Sequence, residues 1–113
     1  MKNLGFLKRL EFAVTGIREG LREKSFRIQL VCAAAVIATL AYLKPAPISW
    51  AILLLCVGLV LSAELFNTAL ESTLDKLHPE SHPSIRRAKD CAAGAVLLIS
   101  LTSAVVFLIF LFS

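Results

Sequence analysis

The sequence predicts an all-α membrane protein: an N-terminal amphipathic surface helix and three transmembrane helices, assembling as a helical oligomer. Hydrophobic residues make up 58% of its 113 residues, and the mean hydropathy of +0.79 is too high for an ordinary soluble domain of this length. Three stretches contain no charged residue, namely 28–43, 45–63 and 91–113. Because a span needs roughly 20 apolar residues, we expect spans at about 28–44, 48–66 and 91–112 in a single domain, 1–113.

The N-terminal segment, about 4–22, has the pattern of an amphipathic helix. Its apolar residues recur at steps of three and four: Leu7, Leu10, Val14, Ile17 and Leu21. At 3.6 residues per turn they share one face, while charged residues occupy the others. We expect this helix to lie on the membrane surface, with packing as a soluble helix on a partner as the alternative.

The three spans differ in their ends. The first is the shortest, and Lys44 can lengthen it by reaching toward the interface. The second helix has no breaker between Ile48 and Pro79, which makes it about 45 Å long, whereas the hydrocarbon core is ~30 Å thick. Its far end must therefore leave the bilayer. Ser84 is the predicted N-cap of the last helix.

Basic residues give the orientation. Of the 12 Lys and Arg residues, seven precede the first span, four lie between the second and third spans, and only Lys44 lies between the first and second. The positive-inside rule then places the N-terminus and the second loop in the cytoplasm. The net charge of +4 suits an anionic membrane surface or substrate. Since these residues flank spans, we expect no nucleic-acid partner.

A polar stripe interrupts the second apolar helix. It consists of Glu64, Asn67, Glu71 and Asp75, whose spacings of +3, +7 and +11 put them on one helix face. A charge at membrane depth costs about 2.5–3.5 kcal/mol on insertion scales and is functional by default. Three carboxylates on one face also repel each other, so they need a metal, a basic side chain or protons.

Other charged residues fall at the same depth as this stripe. Lys89 and Asp90 begin the third span, and Glu23 precedes the first. Carboxylates with an amide and a lysine suit Mg²⁺ and phosphate oxygens. As an alternative, Asp75 and Asp90 form ordinary ion pairs with neighbouring basic residues. A cation or proton path, or a purely structural pore, also remains open, although a path should spread its acids through the membrane depth.

These residues resemble the signature of a known family, the prokaryotic diacylglycerol kinases and undecaprenol kinases. The resemblance rests on the run Glu64-Leu-Phe-Asn67-Thr-Ala-Leu-Glu71-Ser-Thr-Leu-Asp75, the Lys89-Asp90 pair and the Glu-x-x-Phe-Arg segment at 23–27. It covers nearly the whole chain. It implies a small kinase of the bacterial inner membrane, typically a homotrimer with sites shared between subunits, that phosphorylates a lipid alcohol with MgATP.

The resemblance also implies residue roles. Glu64 is similar to the general base that takes the proton of the lipid hydroxyl, and Glu23 and Glu71 to the metal ligands that hold MgATP. Residues implied in ATP binding are Glu23, Glu71, Glu80, Ser81, His82, Lys89, Asp90 and Arg9. Residues implied in substrate binding or support are Glu64, Asn67, Asp75, Phe26 and Arg27.

One departure leaves the lipid open. Gln29 stands where some diacylglycerol-type members have glutamate and undecaprenol-type members often have histidine. We expect 1,2-diacylglycerol as the first candidate, converted to phosphatidic acid, and undecaprenol as the second.

Overall fold

Four helices make up the part of the chain that the computed structural model describes, residues 3–113. They are α1 (Phe6–Gly20), α2 (Lys24–Leu43), α3 (Pro47–Leu77) and α4 (Pro83–Phe112). The last three are long and apolar enough to cross a membrane, and these residues contain no strand. The predicted all-α class with three candidate spans is therefore confirmed, while the oligomer stays a prediction. Lys2, one of the basic residues counted for the orientation, lies outside the described range.

The turn between α2 and α3 is closed by a left-handed residue. Lys44 has a φ of 49°, and its N–H donates to the carbonyl of Leu40 at 2.9 Å. This conformation ends the helix by satisfying one of its last carbonyls. Pro45 cannot continue the helix, and Pro47 starts α3 at a position where a missing N–H costs nothing.

The start of α4 differs from the prediction. The helix begins at Pro83, and its N-cap is His82 rather than Ser84. The Nδ1 atom of His82 accepts a hydrogen bond from the backbone N–H of Ser84 at 3.1 Å, and this satisfies one of the free donors of the first turn. The prediction of Ser84 was wrong because serine is a common N-cap, whereas the cap here is the imidazole of a histidine that precedes the first helical proline.

The core of the single chain is small and is centred on α3. This helix packs most extensively on α4 and then on α2. The buried hydrophobic residues are Phe26, Ala33, Leu40, Leu53 and Val60. Strongly apolar α4 contains no buried residue. Because a soluble protein rarely exposes so much apolar surface, this surface is suited to lipid or to a neighbouring subunit.

The end of α1 packs against α3 one residue away from Glu64. Gly20 is the buried residue of α1, and a Cβ atom built there would lie 2.5 Å from the Cδ2 atom of Leu65 and 3.5 Å from the ring of Phe26. Glycine therefore permits a close approach of the two helices. The other described residues of α1 are exposed, as the prediction of a surface helix requires.

The junction between α1 and α2 is tied by Arg27. Its guanidinium donates to the carbonyl of Leu21 at 2.9 Å and to that of Arg22 at 3.1 Å. These carbonyls follow the end of α1, where backbone acceptors have no partner within the helix. Arg27 and the buried Phe26 thus fix the angle at which α1 reaches α3.

Candidate active site on α3

The polar stripe runs along α3 from a buried end to an exposed end. Glu64 is only 5% exposed, and it is the one charged residue that is buried among residues 3–113. Asn67, one turn further, is half-buried, and Glu71 and Asp75 are exposed. The predicted stripe therefore forms on one helix, with its four members in four different settings.

The buried end has no cationic partner within the chain. Among residues 3–113, no lysine or arginine forms an ion pair with Glu64. Instead, the side chain of Gln29 on α2 lies near the carboxyl group. A buried carboxylate without a counter-charge is costly, which makes a purely structural role for Glu64 a poor explanation.

The middle of the stripe is a hydrogen-bonded pair. The Nδ2 atom of Asn67 donates to Oε1 of Glu71 at 3.1 Å. The Oδ1 atom of Asn67 is buried, and no hydrogen-bond partner for it occurs in the described part of the chain. A buried acceptor without a partner costs about 1–3 kcal/mol, so this oxygen is suited to a donor on a ligand or a second subunit.

Asp75 at the exposed end of the stripe and Asp90 on α4 each form an ion pair, as one of the two sequence interpretations proposed. The ammonium of Lys89 on α4 contacts the carboxylate of Asp75, and Arg86 contacts Asp90 at 3.3 Å within α4. Exposed pairs of this kind are worth about 0.2–1 kcal/mol each. Lys89 is thus held at the stripe through Asp75.

Glu23 occupies the junction before α2. It is the N-cap residue of that helix but makes no side-chain cap, and its carboxylate is exposed. Within the described range, no three His, Cys, Asp or Glu side chains are grouped to hold a metal ion. Mg²⁺ is commonly held by one or two carboxylates together with substrate phosphates, so the donor chemistry of Glu23 and Glu71 fits such an ion.

The remaining predicted nucleotide residues lie at the surface. Arg9 is on the exposed part of α1, and Glu80, Ser81 and His82 form the exposed connection from α3 to α4. Within residues 3–113 they make no side-chain hydrogen bond or ion pair to the stripe. His82 uses Nδ1 for the helix cap, which leaves Nε2 to contact a ligand.

An apolar cavity of about 370 Å³ lies between α2, α3 and α4. Its walls include Ala33 and Val36 from α2, Leu53 and Val60 from α3, and Phe107 from α4. Polar side chains also line it, namely Gln29, Thr39, Ser100 and Ser103, and of these Gln29 lies near Glu64. A long hydrocarbon chain would match these mostly apolar walls.

Sequence reasoning missed Ser100. It lies on α4 and accepts a hydrogen bond from Nε2 of Gln29 at 3.2 Å. A lone serine in an apolar span is ordinary, since its hydroxyl can bond to its own helix. Only the three-dimensional arrangement of α2 and α4 around α3 reveals the contact, so no signal in the sequence could have identified it.

Comparison with known proteins assigns the family. Residues 11–111 match the model of the prokaryotic diacylglycerol kinase family. An undecaprenol kinase of Bacillus subtilis is 38% identical over 94% of this chain and 88% of its own length. A diacylglycerol kinase of Synechocystis is 41% identical over 74% of this chain and 49% of its own length. A diacylglycerol kinase of Escherichia coli K12 is 28% identical over 95% of this chain and 88% of its own length. The chain therefore belongs to the prokaryotic diacylglycerol kinase family and is a membrane lipid kinase that uses ATP.

Proposed function

We propose that the protein transfers the γ-phosphoryl group of ATP to the hydroxyl of 1,2-diacylglycerol at the cytoplasmic face of the bacterial inner membrane, giving phosphatidic acid. The observation that carries this proposal is a buried carboxylate, Glu64, near Gln29, whose side chain lines an apolar cavity. A lipid alcohol is the substrate that combines a hydrocarbon chain for the cavity with a hydroxyl for the carboxylate. The family match and the diacylglycerol kinases among the relatives support the choice of lipid.

Glu64 acts as the general base. It accepts the proton of the lipid hydroxyl while the hydroxyl oxygen forms a bond to the γ-phosphorus and the bond from that phosphorus to the bridging oxygen of ADP breaks. The products are the phosphorylated lipid, ADP and a proton. Phosphoryl transfer depends on positioning and on charge stabilisation, so the main task of α3 is to hold this base at the depth of the hydroxyl.

The exposed part of the stripe binds the nucleotide. Glu71 and Glu23 would hold Mg²⁺, which, when bound, supplies positive charge to the phosphate oxygens. Asn67 orients the Glu71 carboxylate through their 3.1 Å hydrogen bond. Lys89 contacts the phosphates and exchanges its partner Asp75 for them. Arg9, Asp90 and the exposed connection Glu80–His82 contact the rest of ATP.

Undecaprenol is a second candidate lipid. The Bacillus subtilis relative, which covers 94% of this chain, is an undecaprenol kinase. Undecaprenol carries a single hydroxyl and no ester groups, and the walls of the cavity are mostly apolar. The base and the nucleotide site would serve either alcohol.

The assembly we propose is a homotrimer with sites shared between subunits. It is supported by the exposed apolar surface of α4. The distribution of basic residues supports an N-terminus and active site in the cytoplasm.

The proposal is tested by phosphate transfer from labelled ATP in mixed micelles, with diacylglycerol and undecaprenol supplied separately and with Mg²⁺ or excess chelator. We expect labelled phosphatidic acid with diacylglycerol, and no product without the metal. Label in undecaprenyl phosphate alone would assign the second lipid. No label in either lipid, from a folded oligomer, would contradict the proposed activity.

A further inference from the structure

We propose that Arg27 is a positioning residue: its guanidinium holds the backbone of the junction between α1 and α2, so that the carboxylate of Glu23 keeps a fixed place beside α3. This inference rests on the proposed function, in which Glu23 is a ligand of Mg²⁺. Arg27 itself touches neither the metal nor the substrates in this role and acts only through Glu23.

The junction consists of residues 20–27, and both backbone polar groups of Glu23 are used within it. Its N–H donates to the carbonyl of Gly20 at 3.0 Å, and its carbonyl accepts from the N–H of Arg27 at 3.1 Å. Its side chain makes no cap hydrogen bond and forms no ion pair with any of residues 3–113. The backbone of Glu23 is therefore held, while its carboxylate is left for a ligand.

The guanidinium of Arg27 satisfies two carbonyls that lie between the helices. Its Nη1 atom donates to the carbonyl of Leu21 at 2.9 Å and to that of Arg22 at 3.1 Å. The N–H groups of Leu21 and Arg22 donate back to carbonyls of the last turn of α1. The cation also lies just beyond the C-terminus of α1, where the helix dipole is negative. Each carbonyl of residues 18–22 thus has a donor, which holds the turn in one conformation.

The junction is anchored to α3 beside the proposed base. Gly20 is buried, and a Cβ atom built there would lie 2.5 Å from the side chain of Leu65, which directly follows Glu64. The ring of Phe26, only 3% exposed, lies 3.5 Å from the same point. Because Glu23 is three residues from Gly20 and hydrogen-bonded to it, the turn decides where its carboxylate lies relative to α3.

A metal ligand in a turn depends on such support. Glu23 precedes α2 and is exposed, so neither a regular helix nor burial fixes it. Partners that orient a metal ligand change metal affinity or activity by about 10- to 100-fold. Without the bonds from Arg27, two carbonyls would turn to water, and the turn would sample more conformations. The Mg²⁺ requirement of the kinase should then rise.

Two simpler roles for Arg27 make different predictions. If the guanidinium only joins the two helices, its loss lowers the melting temperature and leaves the Mg²⁺ dependence of folded molecules unchanged. If it contacts the lipid, its loss raises the KM for the lipid. The positioning role instead raises the Mg²⁺ concentration needed for half-maximal rate and the KM for MgATP.

The experiment compares Arg27→Met, which keeps the apolar stem of the side chain but removes its donors, with Arg27→Lys. We expect Arg27→Met to raise the Mg²⁺ concentration for half-maximal rate about 10- to 100-fold. The KM for the lipid should stay within about twofold of wild type. Arg27→Lys should recover most of the loss, because both bonds come from one nitrogen and a lysine nitrogen carries three hydrogens.

Two readouts do not depend on turnover. Binding of a fluorescent ATP analogue, measured without lipid at varied Mg²⁺, should show the same shift in Arg27→Met. Hydrogen exchange at the backbone amides of residues 21–23 should become faster in this variant, while exchange in α3 stays unchanged. The oligomer size and the melting temperature in detergent ensure that folded molecules are compared.

Two further variants sharpen the result. Arg22→Met is the matched control, because it removes the same charge from the same junction. The side chain of Arg22 is 79% exposed and pairs only with Glu19, at 3.4 Å, among residues 3–113, so the Mg²⁺ dependence should stay that of wild type. In Arg27→Met combined with Glu23→Gln, the loss should be no greater than in Glu23→Gln alone, because residues that act as a unit are not additive.

A wild-type Mg²⁺ dependence in folded Arg27→Met would overturn the inference, and so would a rise confined to the KM for the lipid. An equal shift in Arg22→Met would overturn it as well, since the lost charge would then be the cause. These outcomes leave the proposed function intact as long as Glu23→Gln is impaired. A wild-type protein without lipid kinase activity, or a Glu23→Gln variant with an unchanged Mg²⁺ dependence, would contradict the proposed function itself, so the two failures are distinguishable.

Discussion

Glu64 and Asp75 are carboxylates on the same face of the same helix, but the structure places them in opposite settings. Glu64 is 5% exposed and pairs with no lysine or arginine among residues 3–113. The side chain of Asp75 is 63% exposed and pairs with Lys89. Position on the stripe therefore does not decide what a carboxylate does; its solvent exposure and its partner do.

The difference supports our proposal for which acid takes part in the chemistry. An exposed ion pair contributes little to stability and needs no special explanation. A buried carboxylate lowers stability unless it is compensated, so its presence calls for a function that requires it. The comparison supports our proposal that Glu64 takes part in the reaction and that Asp75 places Lys89, and four substitutions test this proposal.

The largest effect is expected for Glu64→Gln. The amide is nearly isosteric but cannot accept the proton, so lipid phosphorylation should fall by about 10²- to 10⁴-fold or more. Nucleotide binding should persist, because Glu64 is not among the residues proposed to contact ATP. Initial rates with labelled ATP test the first statement, and binding of a fluorescent nucleotide analogue tests the second. Full activity would remove Glu64 from the mechanism.

Glu71→Gln should have the next largest effect. It removes a proposed ligand for Mg²⁺ and one partner of the Asn67 hydrogen bond. Because even residues that only support metal ligands change metal affinity by about 10- to 100-fold, we expect at least this rise in the Mg²⁺ concentration needed for half-maximal rate. A titration of the rate with Mg²⁺ measures it, and an unchanged curve would exclude Glu71 as a ligand.

A packing change beside the buried end should act on stability. Gly20→Leu inserts a side chain where even a Cβ would lie 2.5 Å from Leu65, and overpacking of this kind costs about 1–3 kcal/mol. Gly16, on the same helix, has open space around it, so Gly16→Leu is the matched control and should be tolerated. Thermal unfolding in detergent compares them. Equal melting temperatures would show that α1 does not pack closely on α3.

Asp75→Asn should have the smallest effect. It removes an exposed ion pair with Lys89, so we expect a loss of no more than about 1 kcal/mol in stability and a rate within a few-fold of wild type. Steady-state kinetics with varied MgATP provide the measurement. A loss as great as that of Glu64→Gln would show that Asp75 belongs to the reaction.

The elements of the fold could be predicted from the sequence because they depend on local patterns. Uncharged stretches locate the three spans, and the absence of a breaker between Ile48 and Pro79 predicts the single long helix α3. The N-cap of α4 could not be predicted in the same way. It depends on the imidazole of His82 turning back onto the first helical turn, which is a property of side-chain geometry.

For the site, the sequence identified the stripe but not what lies opposite it. Helical spacing puts Glu64, Asn67, Glu71 and Asp75 on one face, and the structure confirms that they share one helix. The contact of Gln29 with Ser100 joins residues 71 positions apart, which only the packing of the helices can bring together. The two possible roles of Asp75, an ordinary ion pair or support of the substrate site, likewise depended on whether Lys89 lies within reach.

The most direct test of this account is the ratio of kcat between Asp75→Asn and Glu64→Gln, measured with the same lipid in the same micelles and normalised to folded oligomer. The two substitutions make the same chemical change, from carboxylate to amide, on one face of one helix. We predict a ratio of at least about a hundred, because only the buried carboxylate takes the proton of the lipid hydroxyl. A ratio near one would contradict the assignment of Glu64 as the base.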